Sequence, residues 1–125
     1  MALHDQLLTQ GSDGVVRGTL PTPAEVRDQL ARAASVGARL IRTGHTPANP
    51  AVLDLADRLG FAVWEEIPLY HYTPQTFEIA MRRGIPQQML REMALRDMNH
   101  PSVLFHGLAN ESTGGIERER ALATL

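Results

Sequence analysis

The sequence predicts an α/β fold with a parallel sheet, because helical patterns alternate with short apolar runs along the chain. Three such runs cover residues 38–43, 61–67 and 102–109, and each is entered directly from a predicted helix. Short, mostly apolar runs of this kind are typical of buried parallel strands. The order helix, strand, helix, strand, helices, strand, helix indicates helices packed against a parallel sheet.

Capping residues and glycines mark where the predicted helices begin and end. Thr22-Pro23-Ala24-Glu25 has the form of a capping box with proline at the first helical position, and Gly37 ends that helix. Asn49-Pro50 begins the second helix and Gly60 ends it. Further helices are predicted over residues 74–83, over residues 86–98 and from residue 116 onward.

Composition excludes several classes of protein. The chain has 125 residues, 43% of them hydrophobic and 21% charged, which fits one folded domain. A net charge of -2 gives no support for a nucleic-acid or anionic membrane partner. The absence of cysteine excludes disulfides and thiolate zinc sites and favours a cytoplasmic location. No apolar run reaches the roughly 20 residues that a membrane span needs, and the first residues lack a signal-peptide pattern.

Polar side chains gather where each predicted strand ends. They are Arg42 and His45 after the first apolar run, Glu65 and Glu66 at the end of the second, and Asn110 and Glu111 after the third. The carboxyl ends of parallel strands form the edge at which α/β enzymes build their active sites. Three such coincidences predict a shared pocket at this edge.

The residues alone leave the role of several of these side chains open. Glu111 can cap the following helix or act as a catalytic carboxyl, and Arg42 and His45 can be ordinary structural partners. Glu65 and Glu66 are adjacent and therefore point to opposite faces of a strand, so at most one enters the pocket and the other pairs with a cation. His100 lies at the amino end of its strand and is read as structural.

Neither a cofactor nor a metal is predicted from spacing. The histidines are scattered, without the H-E-x-x-H or H-x-x-E-H spacing of zinc enzymes. No glycine-rich phosphate loop follows a predicted strand.

Three blocks of the sequence resemble a known family. Residues 38–69, ARLIRTGHTPANPAVLDLADRLGFAVWEEIPL, are similar to the pattern N-A-V-R-x-S-H-Y-P followed by V-x-D-E in family 2 glycoside hydrolases. RDMNHPSV, residues 96–103, resembles the family's R-D-R-N-H-P-S-V, and LANES, residues 108–112, resembles its L-G-N-E-S. The blocks occur in the family's order, and the likeness covers nearly the whole chain.

The resemblance implies the fold and the roles of individual residues. The family includes β-galactosidases, β-glucuronidases and β-mannosidases, and its catalytic domain is a (β/α)8 TIM barrel. Residues 1–125 would form the N-terminal half of this domain, a partial barrel of about four βα units. Glu111 would be the general acid/base of a retaining β-glycosidase. The implied substrate-binding residues are Asn110, Arg42, His45 and His4.

Departures from the family pattern qualify this reading. The metal-binding glutamate of magnesium-dependent β-galactosidases falls on Tyr70, so the metal is not carried over. The family's nucleophilic glutamate lies on a later strand, beyond the last residue of this sequence. The isolated chain is therefore expected to be inactive, and to self-associate or to bind the missing half of the barrel.

Two alternatives remain at the level of sequence. The first is a non-catalytic sugar-binding or partner-assembled half-barrel. The second is an unrelated enzyme that uses an α/β sheet with the Arg42/Glu111 pair, for example a carboxylate-binding lyase.

Overall fold

A computed structural model describes the backbone of residues 2–5 and the residues 22–113 and 116–125. Four parallel strands form one sheet in the order β1-β2-β3-β4. They are β1 (Ala2–Asp5), β2 (Leu40–Thr43), β3 (Ala62–Glu66) and β4 (Val103–Gly107). The helices are α1 (Pro23–Ser35), α2 (Pro50–Leu59), α3 (Pro74–Arg82), α4 (Ile85–Asp97) and α5 (Ile116–Ala123). The predicted α/β class with parallel strands is confirmed, and the sheet is open rather than closed into a barrel.

Local sequence explains where the first two helices begin and end. Thr22 and Glu25 form the predicted capping box, in which each side chain bonds the backbone amide of the other residue. Asn49 caps α2 by accepting a hydrogen bond from the Ala51 amide. Gly60 ends α2 in the left-handed conformation, with φ of 72°, which a residue with a Cβ adopts at a cost.

The core lies between the sheet and its helices. One cluster packs Ile41 and Val63 of the sheet against Val52, Leu53 and Phe61. A second cluster lies beyond the end of β3 and is built from residues of the loop and of α3, α4 and α5, namely Ile67, Leu69, Phe77, Leu90, Met93 and Leu122. Because side chains alternate along a strand, the opposite face of the sheet is left for other residues.

That opposite face carries Arg42, Trp64, Glu66 and Phe105. Arg42 lies over the Trp64 ring at 4.7 Å, and the Trp64 and Phe105 rings are 5.9 Å apart. Trp64 is half-buried and does not belong to either core cluster. A register shift between β3 and β4 after Val63 places Gly107 beside Glu66.

A histidine and an aspartate form a hydrogen bond at the amino end of the sheet. His100 Nδ1 lies 2.6 Å from Asp57 Oδ2, and the Ser102 amide donates to Asp57 Oδ1 at 2.9 Å. These contacts join the end of α2 to the start of β4, in agreement with the structural role expected for His100. Among the described residues, no helix has the length and apolar character needed to cross a membrane.

Candidate active site at the carboxyl edge of the sheet

Glu66 is the centre of the polar network at the carboxyl end of the sheet. Its side chain is 1% exposed, and both of its oxygens are engaged. Arg42 Nε donates to Oε1 at 2.5 Å, and His45 Nδ1 lies 2.8 Å from Oε2. A buried carboxylate with two cationic or hydrogen-bonding partners is the arrangement that offsets the cost of burying its charge.

Arg42 connects this network to the end of β4. Its Nη2 donates to Asn110 Oδ1 at 2.8 Å, across 68 positions of sequence. Gly107 leaves room for Glu66 between the two strands, because a Cβ at Gly107 would lie 2.5 Å from Glu66 Cγ and 2.7 Å from Trp64 Nε1. Arg42, His45 and Asn110 are therefore brought together, as the sequence predicts.

The loops that follow β3 and β4 are joined by backbone hydrogen bonds. The Asn110 amide donates to the Leu69 carbonyl at 2.9 Å, and the His71 amide donates to the Asn110 carbonyl at 3.2 Å. Ser112 Oγ accepts from the Tyr72 amide at 3.1 Å and donates to the Leu69 carbonyl at 3.0 Å. These bonds extend the parallel pairing beyond β3 and β4 and fix the backbone on both sides of Glu111.

Glu111 occupies an unusual backbone conformation in this joined loop. Its φ is 45° and that of His71 is 55°, so two residues with side chains adopt the left-handed region. Such strain persists where the surrounding structure enforces it, and it is common at functional sites. Glu111 precedes α5, whose first described residue is Ile116.

A row of rings connects Glu111 to Glu66. His71 Nε2 lies 3.5 Å from Glu111 Oε2, and the Tyr70 ring is 3.8 Å from the His71 ring. Tyr70 stacks on His45 at 4.8 Å with an interplanar angle of 9°. The Glu111 side chain is 64% exposed.

Glu65 occupies a separate cluster on the helix-facing side of the sheet. It accepts from the Ala48 amide at 3.1 Å, and its Oε1 lies 3.1 Å from His106 Nδ1 without good hydrogen-bond alignment. Arg96 pairs in a bidentate manner with Asp97, at 2.7 Å and 2.6 Å, and its Nη2 is 3.9 Å from Glu65. Burial and the neighbouring Asp97 raise the pKa of Glu65 to about 7, although the Ala48 amide opposes the shift.

The two adjacent glutamates therefore have different roles. They point to opposite faces, as expected, and Glu66 alone lies in the site. Both have an arginine neighbour, Arg42 for Glu66 and Arg96 for Glu65, so the prediction of a cation only for the glutamate outside the pocket is incomplete. For His4, the structure places the backbone in β1 directly opposite Arg42 in the parallel register.

Sequence reasoning missed several residues that organise the site. It did not identify that Glu66 holds Arg42 and His45 or that Gly107 leaves space for the Glu66 side chain. It also did not identify the Tyr70–His71 pair. The two-residue alternation along β2 and β3 would have placed Arg42, Trp64 and Glu66 on one face. No local signal marks His71, because its contact with Glu111 depends on the pairing of two distant loops.

Metal ligation has no support in the part of the chain that is described. Among residues 22–113 and 116–125, no three His, Asp or Glu side chains are grouped so that they could hold an ion. Tyr70 is engaged in ring stacking with His45.

Comparison with known proteins agrees with this geometry. The family model described as glycosyl hydrolases family 2, TIM barrel domain, matches residues 16–125. The chain belongs to this family. Its open four-stranded sheet is accordingly a partial (β/α)8 barrel, and the carboxyl edge of the sheet is the catalytic face of such barrels.

Relatives of this family 2 chain include glycosidases from bacteria and animals. It is 39% identical over 74 residues to a β-galactosidase of Thermoanaerobacterium thermosulfurigenes, which covers 58% of the chain and 10% of the relative. It is 34% identical over 84 residues to a β-glucuronidase of Rattus norvegicus, which covers 66% of the chain and 13% of the relative. The chain thus spans little more than a tenth of the length of these relatives.

Solved structures of the family share the fold. A GH2 β-galacturonidase from Eisenbergiella tayi, bound to glycerol, superposes with a TM-score of 0.68 at 31% identity, covering 85% of this chain and 19% of that one. An FMN-binding β-glucuronidase described as from Facaelibacterium prausnitzii superposes with a TM-score of 0.73 at 25% identity, covering 98% of this chain and 18% of that one.

Proposed function

We propose that this chain supplies the general acid/base of a retaining β-glycosidase that hydrolyses O-glycosidic bonds. The observation that carries the proposal is the position of Glu111. It follows β4 at the catalytic edge of a family 2 barrel sheet, directly after Asn110, whose side chain is bonded to Arg42. The strained backbone and the cross-loop hydrogen bonds support a carboxyl that must be held in one place.

The proposed chemistry uses two carboxyl groups about 5–5.5 Å apart. Glu111 donates its proton to the oxygen of the leaving group while a second carboxylate attacks the anomeric carbon, so that the glycosidic C–O bond breaks and a glycosyl ester forms. Glu111 then removes a proton from water, which attacks the anomeric carbon and releases the second carboxylate.

The second carboxylate comes, in this proposal, from outside the 125 residues. Glu66 is unsuited to the attack because Arg42 and His45 engage both of its oxygens. We assign Glu66 the role of positioning those two side chains. Arg42, which is held by Glu66 and Asn110, is assigned to orient the nucleophile.

The remaining site residues are assigned to binding of the sugar. Asn110 lies next to the acid and contacts the sugar 2-hydroxyl in this proposal, and His45 and His4 are assigned to binding of the same sugar. We propose a β-glycoside as the substrate, because relatives of the chain bear the names β-galactosidase and β-glucuronidase. No cofactor enters the proposed reaction.

A graft tests the assignment of Glu111. The segment of the Thermoanaerobacterium thermosulfurigenes β-galactosidase that corresponds to residues 16–125 is replaced by this chain, and hydrolysis of β-galactosides is measured. We expect Glu111→Ala to lower kcat/KM for a substrate with a poor leaving group by about 10²–10⁴-fold, the usual contribution of general acid catalysis. An activated dinitrophenyl glycoside needs no protonation of its leaving group, so its first step should be nearly unaffected.

Azide distinguishes an acid/base from a nucleophile. Azide attacks the glycosyl-enzyme without general-base help, so it should restore turnover of the activated substrate and give the β-configured glycosyl azide. The matched control is Glu117→Ala, because Glu117 is 82% exposed on α5 and contacts only Arg120 among the described residues. Full activity of the Glu111→Ala graft on substrates with poor leaving groups would contradict the assignment of Glu111 as the general acid/base.

A partner-assembled half-barrel is a second candidate role. In the sheet order β1-β2-β3-β4, the outer sides of β1 and β4 pair with no strand among the described residues. This observation supports association through those edges, with a partner that completes the barrel.

A further inference from the structure

A cleft of about 380 Å³ lies beside the loop that carries the proposed acid. It is bordered by the loop after β3, by α3 and by the start of α4, and its lining includes Tyr70, His71 and Tyr72. Its volume is within the range of small-molecule sites, which is about 300–1,000 Å³. Neither the family assignment nor the proposed reaction gives this cleft a ligand.

The cleft adjoins the proposed acid through one residue. His71 lines the cleft, and its Nε2 is 3.5 Å from Glu111 Oε2. A general acid protonates the oxygen that joins sugar and leaving group, so the atoms beyond that oxygen lie on the side of the acid. If Glu111 has the role proposed above, a cleft in contact with its neighbour is placed to receive the leaving group.

The walls of the cleft suit a planar apolar group. Ile79 is 52% exposed, Ile85 is 41% exposed, and Tyr70 is 47% exposed, so they present apolar and aromatic surface to solvent. The hydroxyl of Thr76 already donates to the Thr73 carbonyl at 3.0 Å. A sugar ring would leave most of its hydroxyls without partners here, whereas an aromatic ring can pack on the exposed isoleucines and against the edges of the tyrosines, whose own rings already contact His45, His71 and Phe77.

The charge of the cleft comes from Arg83. Arg83 lines the cleft and forms no ion pair with residues 22–113 or 116–125, whereas its neighbour Arg82 pairs with Glu78 at 2.5 Å. A guanidinium that lines an apolar cleft and has no carboxylate partner among the described residues is complementary to a carboxylate on the ligand.

We propose that this cleft binds the leaving group of the glycoside and selects an aromatic leaving group that carries a carboxylate. The aromatic ring packs between the tyrosines and the isoleucines, and the carboxylate pairs with Arg83. That the ligand is the leaving group of a glycoside rests on the proposed role of Glu111. That the ligand is aromatic and carries a carboxylate rests on the cleft alone.

Binding of 4-hydroxybenzoate to the full 125-residue chain tests the proposal. Heteronuclear NMR titration should give saturable shifts at Tyr72, Thr76 and Ile79. The neutral analogue 4-hydroxybenzamide should bind at least about fivefold more weakly, because it lacks the charge that pairs with Arg83. Arg83→Gln should reduce the affinity for 4-hydroxybenzoate by a similar factor and bring the two ligands to equal affinity.

The matched control is Arg82→Gln, which removes an adjacent arginine that already has a partner and should leave the affinity unchanged. Equal binding of benzoate and benzamide to the wild-type chain, or an equal loss in both arginine variants, overturns the role of Arg83. Tighter binding of galacturonate than of 4-hydroxybenzoate overturns the aromatic preference. Absence of any binding overturns the cleft as a site.

The binding experiment and the test of Glu111 as acid/base can fail independently of each other. Glu111→Gln should retain the affinity for 4-hydroxybenzoate, since the contacts of the cleft do not include that carboxyl group. Failure of the grafted enzyme to depend on Glu111 would leave the binding result standing, whereas failure of binding leaves the test of the acid unaffected.

Discussion

Glu66 and Glu65 are neighbours in the chain but belong to different parts of the molecule. Glu66 joins Arg42 and His45 at the open face of the sheet, and Glu65 faces the helices near Arg96 and Asp97. The strand alternation separates them, and each is fully buried. Both sites therefore depend on compensating contacts made by residues distant in sequence.

Removal of the charge at Glu66 should destabilise the fold. Glu66→Gln replaces one oxygen acceptor by a donor that faces Arg42 or His45, so we expect the free energy of unfolding to fall by about 2 kcal/mol. Urea denaturation followed by circular dichroism measures the change. Glu117→Gln is the control, since its exposed contact with Arg120 at 3.4 Å should contribute nothing measurable. Equal stability of the two variants would show that the Glu66 network is not a source of stability.

The raised pKa of Glu65 predicts a pH dependence of stability. The folded chain holds a proton on Glu65 up to pH about 7, whereas the ordinary value for glutamate is 4.5. Between these values the folded state binds more protons than the unfolded state, so this contribution is complete below pH 4.5 and is lost as the pH rises through 7. The urea midpoint of the wild-type chain should therefore fall from pH 5 to pH 8 relative to that of Glu65→Gln, which has no proton to lose.

The comparison uses the difference between the two curves, because other titrating groups contribute to both. His106, Arg96 and Asp97 are the charged or titratable neighbours of Glu65, and all three are retained in the variant. Parallel curves for the two proteins would contradict a proton on Glu65 in the folded state.

At the scale of elements, the two loops after β3 and β4 behave as one unit. The isolated parallel bridge between Tyr70 and Asn110 and the hydrogen bonds of Ser112 continue the strand pairing into the loops. The proposed acid is thereby placed on a backbone that is fixed from both sides.

Ser112→Ala should loosen this unit. The variant removes the acceptor of the Tyr72 amide and the donor to the Leu69 carbonyl, so we expect a loss of about 1–2 kcal/mol in stability. Hydrogen exchange at the Tyr72 amide should be faster in the variant. Thr113→Ala is the matched control, because the Thr113 hydroxyl makes only an exposed contact of 3.4 Å to the Tyr72 carbonyl. Unchanged exchange at Tyr72 after Ser112→Ala would speak against the role of the serine.

At the scale of the whole molecule, an open sheet leaves apolar surface uncovered. Leu104 is 60% exposed and Phe105 is 53% exposed on β4, whose outer side pairs with no strand among the described residues. Edge strands of this kind are templates for association.

We expect the chain to self-associate through this edge in a concentration-dependent manner. Sedimentation velocity over a hundredfold range of concentration measures the association. Leu104→Lys places a charge on the edge strand and should shift the chain toward the monomer. Val36→Lys is the control, since Val36 is 58% exposed at the end of α1. A wild-type chain that stays monomeric throughout would contradict the prediction.

Local signals account for the parts of the fold that the sequence predicted well. The capping box at Thr22, the cap at Asn49 and the left-handed Gly60 act within a turn of the chain, so the helix ends follow from neighbouring residues. The apolar runs between helices predicted the strands β2, β3 and β4 within about two residues at each end. Polar residues at the strand ends predicted the edge at which Arg42 and Asn110 meet.

The sequence by itself determined the parallel α/β class, the family and the edge of the sheet at which the polar residues gather. Only the tertiary structure decided that Glu66 rather than Glu65 joins Arg42, and that His71 lies against Glu111. The physical reason is the separation in sequence of the residues that each interaction joins. A cap or an apolar period acts over one turn, whereas the bond from Arg42 to Asn110 spans 68 positions and exists only once three strands have paired.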